Sequence, residues 1–419
     1  MTRKGCRAVP KTARIACKRP IWLRLATITH LLSLGVVELD PEQLRQRLEP
    51  IFQENFEQRG ELGASVSVWQ EGKPVLELHG GFRDAKREQP WDAETLVLVW
   101  SATKGIGSAC LLQALQENNV SLTRKVSEFW PEFGQNGKAD IQIATVMSHS
   151  AGLCALDTRA DVLDYPAVIR ALENQAPLWP PGSAHGYHAR TFGFLIDELM
   201  QRITGVRISE YWRKYLAEPM QLEFWIGLPK EFNSRVATSY AAKAGRSPNP
   251  PEFYRHLLTR GTLQSKVFNS PSGLNSISAM NNPEIRAQPL VSFGGIGSAT
   301  ALAKFYCMLA NDGVIDGRRY FQSATITEMT KVLHDGVDAV FEIPTAFSAG
   351  FMKDSQTTTR PIFGPDRSCF GHPGAGGGHA FADPANRIGF AYVMNQMEQS
   401  VLPNEKSLKL VNAIYRDGD

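Results

Sequence analysis

Ser101 and Lys104 stand three residues apart, directly after the apolar run Leu96–Trp100, and open a helical pattern that continues through Leu111, Leu112 and Leu115. Three residues along a helix bring two side chains to the same face, within reach of each other. The unpaired N–H groups of a first helical turn favour negative charge, which suits a serine that passes through an oxyanionic intermediate. The chemistry on offer is nucleophilic: a hydroxyl that attacks a carbonyl, with an amine beside it to take the proton. The same residues also read as a helix-capping serine followed by a solvated first-turn lysine, and spacing alone does not separate the two. Other chemistries find less support. There is no GxSxG elbow and no HExxH pair. His185 and His188 lack a carboxylate or cysteine at ligand spacing, so they read as loop or pocket residues.

The elements that must hold such a site follow from periodicity. An amphipathic helix carries Leu44, Leu48, Ile51, Phe52 and Phe56 on one face, and Ala64–Trp69 and Pro74–His79 alternate like the strands of a hairpin around Glu71-Gly72. From residue 101 the pattern is helical at Gly105–Glu117, Ile141–Ser148, Ala167–Asn174, Phe192–Ile203 and Ser209–Leu216, and again at Ala299–Leu309. Strand-like runs return at Phe347–Phe351, Gly378–Ala382 and Ile388–Met394, before a last helix at Leu408–Tyr415. Strands at both ends with helices between them predict an α+β fold: one antiparallel sheet assembled from the two ends and flanked by helices, with a mainly helical domain inserted. The expected division is residues 38–104 and 290–419 for the sheet domain and 105–289 for the insertion, with the site in the cleft between them.

The 419 residues carry 45 Lys and Arg against 42 Asp and Glu, with 43% hydrophobic residues, as an ordinary globular chain does. Eight of the basic residues fall within residues 1–37, which hold no acid, so the rest is mildly acidic and offers no footprint for nucleic acid. That basic extension is broken by Arg24 and His30 where a secretory signal would be apolar, and it partly resembles an organelle transit peptide. Our reading is a disordered extension or a mis-assigned start, with Val36 or Val37 as alternative start positions. Cys110, Cys154, Cys307 and Cys369 show no CxxC spacing, so neither a zinc site nor a disulfide framework is expected, and the compartment is read as the cytoplasm. No run approaches 18 uncharged apolar residues, so no membrane span is expected. No cofactor is implied.

Two further motifs join the first: Gly186-Tyr187-His188-Ala189, after the Pro180-Pro181-Gly182 turn, and Gly371-His372-Pro373-Gly374-Ala375-Gly376-Gly377, before a strand. SxxK, then a loop tyrosine, then a small-residue HxG strand is the pattern of penicillin-recognising serine hydrolases. The sequence resembles their class C β-lactamase-like group, and most closely the family VIII carboxylesterases, over residues 40–415. Met147-Ser148-His149-Ser150-Ala151-Gly152-Leu153, Trp179-Pro180-Pro181-Gly182 and Gly377-Gly378-His379-Ala380-Phe381-Ala382-Asp383-Pro384 support it.

The resemblance implies the β-lactamase/penicillin-binding-protein fold, Ser101 as nucleophile, Lys104 and Tyr187 as general base, and an oxyanion hole at the N–H groups of Ser101 and Ala375. Free Tyr and Lys, with pKa values near 10 and 10.4, are almost wholly protonated at neutral pH. The expectation is that a lysine cation favours the phenolate while burial disfavours the ammonium, so the pair titrates as a unit. Two departures bear on substrate. His372 stands where typical β-lactamases have Lys, and Ala189 replaces the asparagine two residues after the tyrosine, so anchoring of a substrate carboxylate and amide is weakened beside Gly374. Trp100 and Trp179 are candidates to line the acyl pocket. The expected function is hydrolysis of short-chain acyl esters, a small-molecule substrate. The alternatives are a class C-like β-lactamase, a D-amino-acid peptidase, an acyltransferase, or a binding module without catalysis.

Overall fold

The computed structural model describes residues 37–243 and 252–415. The basic extension up to residue 36 lies outside the described residues. Val37 is already tied down, its N–H donating to Asn386 Oδ1 at 2.9 Å.

Eight strands form one antiparallel sheet: β1 (Gly63–Gln70), β2 (Lys73–Gly81), β3 (His334–Val337), β4 (Pro344–Phe347), β5 (Met352–Lys353), β6 (Phe370–Gly371), β7 (His379–Asp383) and β8 (Ile388–Met394). Their order is β2-β1-β8-β7-β6-β5-β4-β3, so the first hairpin pairs directly with the last strand, Val66 opposite Tyr392. The β1–β2 hairpin turns at Glu71-Gly72, both at positive φ.

The alternation of side chains along β1 and β8 sorts them to two faces. Val66, Val68, Ile388, Phe390 and Tyr392 join one apolar cluster with Leu44, Leu48 and Phe52 of α1 (Pro41–Glu57) and Leu410 and Ile414 of α5 (Glu405–Ile414). The opposite face carries small residues, Ser65, Ser67, Gly389 and Ala391, and α4 (Ala299–Ala310) lies close against it. A Cβ on Gly389 would sit 2.2 Å from Ala303 O, so this close approach needs glycine.

The helix α2 (Thr103–Glu117) is buried from Thr103 through Leu115 on every side, as a helix enclosed within a large protein is. It packs against α3 (Thr191–Thr204). A second sheet of three short strands, Val97–Leu98, Gly295–Gly297 and Phe224–Ile226, leads the chain into α2.

Several predicted elements differ from those observed. The run Phe347–Phe351 is a strand only up to Phe347; the chain bends over Ser348–Gly350, where Gly350 has φ +82°. Ile141–Ser148 is helical only over Ile143–Met147. Ser209–Leu216 begins as α-helix and widens to a π-helix at Trp212–Ala217. No helix among the described residues is long and apolar enough to cross a membrane.

Candidate active site

Ser101 sits in a short 3₁₀ turn, Trp100–Ala102, that runs into α2. Trp100 enters it at φ +53°, a conformation strained for a bulky side chain, so the chain turns sharply just before the serine. The turn is pinned from outside: Val99 N–H donates to Gly295 O at 2.9 Å, and Gly295 N–H donates to Thr103 Oγ1 at 2.8 Å. The helix N-cap is Ala102, without a side-chain cap bond, so Ser101 is not spent as a capping group.

Lys104 is fully buried, not a solvated surface residue. Its Nζ donates to the carbonyl oxygens of Ala189 and Ser292, each at 2.8 Å, and lies 3.4 Å from Ser101 Oγ. No carboxylate pairs with it among the described residues. Burial therefore holds its pKa well below the ordinary lysine value. A neutral amine has two N–H bonds and one lone pair. With two carbonyls taking the hydrogens, the lone pair is left for the serine hydroxyl.

Tyr187 lies on an irregular segment before α3. Its ring is 4.8 Å from Lys104 Nζ and stacks on Phe341 with centroids 4.6 Å apart. Burial pushes the phenol pKa up, the neighbouring Ser101 hydroxyl acts against this, and the carboxylate of Asp338 adds to it. The two directions, lysine down and phenol up, favour a neutral Lys104 and a protonated Tyr187 over the lysine-stabilised phenolate expected from the sequence.

The loop around Tyr187 is held by histidines. Gly186 N–H donates to His149 O at 3.1 Å, and His188 N–H donates to His149 Nδ1 at 3.0 Å. His188 accepts Leu153 N–H on Nε2 at 3.0 Å, which leaves Nδ1 as the donor to Gly186 O at 2.7 Å. His149 adopts φ +58° to make these bonds. His185 contacts Thr345 Oγ1 at 2.9 Å. Burial holds the pKa of His188 at about 4, and that of His185 at about 4. Both read from sequence as loop residues, and both are buried members of the loop's framework.

The third motif reaches the same place from the sheet. A Cβ on Gly374 would lie 2.4 Å from Val99 O, so only glycine lets this strand end approach the entry to Ser101. Gly374 N–H donates to Gly378 O at 2.8 Å, closing a turn that presents Ala375. Among the described residues no hydrogen bond engages the N–H of Ser101 or of Ala375. His372 is buried, with its ring centroid 6.0 Å from that of Tyr187. Burial pushes its pKa down to about 3, so it is a neutral imidazole.

Of the remaining candidates, Trp100 is half-buried at the turn, and Trp179 packs behind Gly186 and edge-on to His188. Ala189 contributes its carbonyl oxygen, which binds Lys104. Three participants carry no sequence motif of their own chemistry: the Ser292 carbonyl, a backbone group; His149, inside a quoted segment but without a partner in sequence; and Asp338, 151 residues beyond Tyr187.

Comparison with known proteins gives the family of the chain. The family model described as Beta-lactamase matches residues 48–413. The chain is 30% identical over 347 residues to the esterase/beta-lactamase LipL of Mycobacterium tuberculosis, covering 80% of this chain and 77% of LipL. Among solved structures, a penicillin-binding protein homologue from Caulobacter crescentus aligns at 31% identity and TM-score 0.79 over 91% of this chain and 99% of that one. A family VIII carboxylesterase aligns at 29% identity, also with TM-score 0.79 and the same coverage. With its sheet, its central buried helix and its Ser-x-x-Lys turn accounted for, the chain belongs to the beta-lactamase family of serine hydrolases.

Proposed function

We propose that the protein is a serine carboxylesterase acting on short-chain, uncharged acyl esters through an acyl-enzyme on Ser101. The observation that carries this reading is Lys104 Nζ, with two carbonyl partners at 2.8 Å and Ser101 Oγ at 3.4 Å. In this reading Ser101 Oγ attacks the ester carbonyl as its proton passes to the neutral amine of Lys104. The developing oxyanion lies against the N–H groups of Ser101 and Ala375. Tyr187 hands its proton to the departing alkoxide and is reprotonated from the Lys104 ammonium. Water then attacks the acyl carbon by the same route in reverse, which frees the acid and restores Ser101.

The substrate preference rests on what flanks this centre. A neutral His372 offers no charge to a substrate carboxylate, and Ala189 no amide. The names of LipL and of the family VIII neighbour support an esterase, and LipL's also supports a slow β-lactamase side activity. The test is turnover of p-nitrophenyl acetate and butyrate beside nitrocefin and benzylpenicillin, with and without added alcohol, by the wild type and Ser101→Ala. Ester turnover well above lactam turnover, lost in S101A together with the acyl mass on the intact protein, is expected. An S101A protein that keeps its esterase rate, or a wild type faster on benzylpenicillin, overturns the assignment.

A further inference from the structure

We propose that Asp338 is a positioning residue for Tyr187, its buried carboxylate fixing both the backbone and the ring of that tyrosine relative to Lys104. The proposal rests on the reading of Tyr187 as a proton relay.

Tyr187 lies on a segment without regular structure, so nothing local determines where its hydroxyl points. Its own N–H donates to Asp338 Oδ1 at 3.2 Å. The same oxygen accepts Val340 N–H at 2.7 Å and Phe341 N–H at 2.9 Å, while Oδ2 accepts Thr345 Oγ1–H at 3.3 Å. One carboxylate therefore joins the Tyr187 backbone to the turn between β3 and β4. That turn carries Phe341, whose ring stacks on the Tyr187 ring with an interplanar angle of 24°. Besides the His149 bonds to its chain neighbours, the phenol is thus held at its backbone and on one face, and these two constraints run through Asp338. A second link closes the frame, as Ala339 N–H donates to His185 O at 3.0 Å.

The carboxylate is costly to keep there. Asp338 is fully buried, and the basic group paired with it among the described residues is His185, with Nε2 4.0 Å from Oδ2. Burial holds that imidazole neutral. Burial also raises the Asp338 pKa to about 6, against which the N–H bonds of Phe341, Val340 and Tyr187 act in turn. Bonds from an ionised acceptor to backbone N–H groups are stronger and more directional than neutral ones, which is what a loop that must hold a phenol in place requires.

The experiment is a cycle of Asp338→Ala and Asp338→Asn in the wild type and in Tyr187→Phe, read as kcat and KM on p-nitrophenyl butyrate, with circular dichroism to establish folding. Asparagine keeps one acceptor oxygen for the three N–H groups, and Thr345 can turn its hydroxyl to accept from the amide. We expect D338A to lower kcat about 10–10²-fold with KM changed less than about threefold, and D338N to recover about tenfold of that loss. In Y187F, where no phenol remains to be placed, D338A should cost no more than about twofold. A folded D338A with wild-type kcat beside a crippled Y187F overturns the positioning role alone, as does an equal D338A loss in both backgrounds. If D338A does not fold, D338N decides by the same additivity criterion. A Y187F protein with wild-type kcat sinks the relay reading, and this proposal with it.

Discussion

The Ser101–Lys104 turn and the Tyr187 loop meet at one point but are held by opposite means. Ser101 and Lys104 are neighbours because a helix makes them so, and α2 is buried on all sides, so the surrounding core fixes that helix. Tyr187 has no such scaffold: its place comes from hydrogen bonds to His149 and to Asp338, reached from 39 and 151 residues away along the chain by its neighbour His188 and by itself. The lesson is that two groups sharing one proton need not share one source of rigidity. Packing holds the lysine, and a polar network holds the tyrosine.

The sharpest break falls on the packed half. Lys104→Met keeps the volume but removes the base, and we expect kcat/KM to fall about 10²–10⁴-fold with folding retained. The pH profile of the wild type carries the sign: the folded pKa of Lys104 is depressed by burial, and activity needs the neutral amine. Activity is therefore full above that depressed pKa and falls about tenfold per pH unit once pH drops below it. A profile that is flat there, or that rises as pH falls, contradicts lysine as the base. Gly374→Ala is smaller, since it leaves all three side chains but sets a methyl 2.4 Å from Val99 O. The turn bearing Ala375 must shift, and a loss of about 10²-fold or less in kcat on p-nitrophenyl butyrate is expected. The control that should leave the comparison untouched is Asp40→Ala, which removes the N-cap of α1 that accepts Gln43 N–H at 2.8 Å. It should cost about 1 kcal/mol of stability, seen as a lower urea midpoint, with kcat unchanged.

What was legible in the sequence follows the same divide. The SxxK pair, the hairpin at Glu71-Gly72 and the strand Ile388–Met394 are local patterns, and each appears where periodicity puts it. The three-stranded sheet that aims Ser101 was not legible, because strands of two or three residues have no period to detect. The hairpin of β3 and β4 was half seen. Its edge strand, His334–Val337, alternates exposure without an apolar face, and the run read as Phe347–Phe351 belongs mostly to the bend after it. The chemistry of the site was readable as residue types but not as protonation states. Whether Lys104 is charged depends on which groups come near it, and among the described residues those are two carbonyls from distant segments and no carboxylate.

The pairing of β1 with β8 also governs how the molecule is made. Seven residue pairs join Ala64–Gln70 to Ile388–Met394, so the hairpin of β1 and β2 cannot complete its hydrogen bonding until that much later strand has been synthesised. Until then β1 exposes an unpaired edge to whatever else is in solution, and a ribosome stalled before codon 388 would carry a chain open to wrong partners.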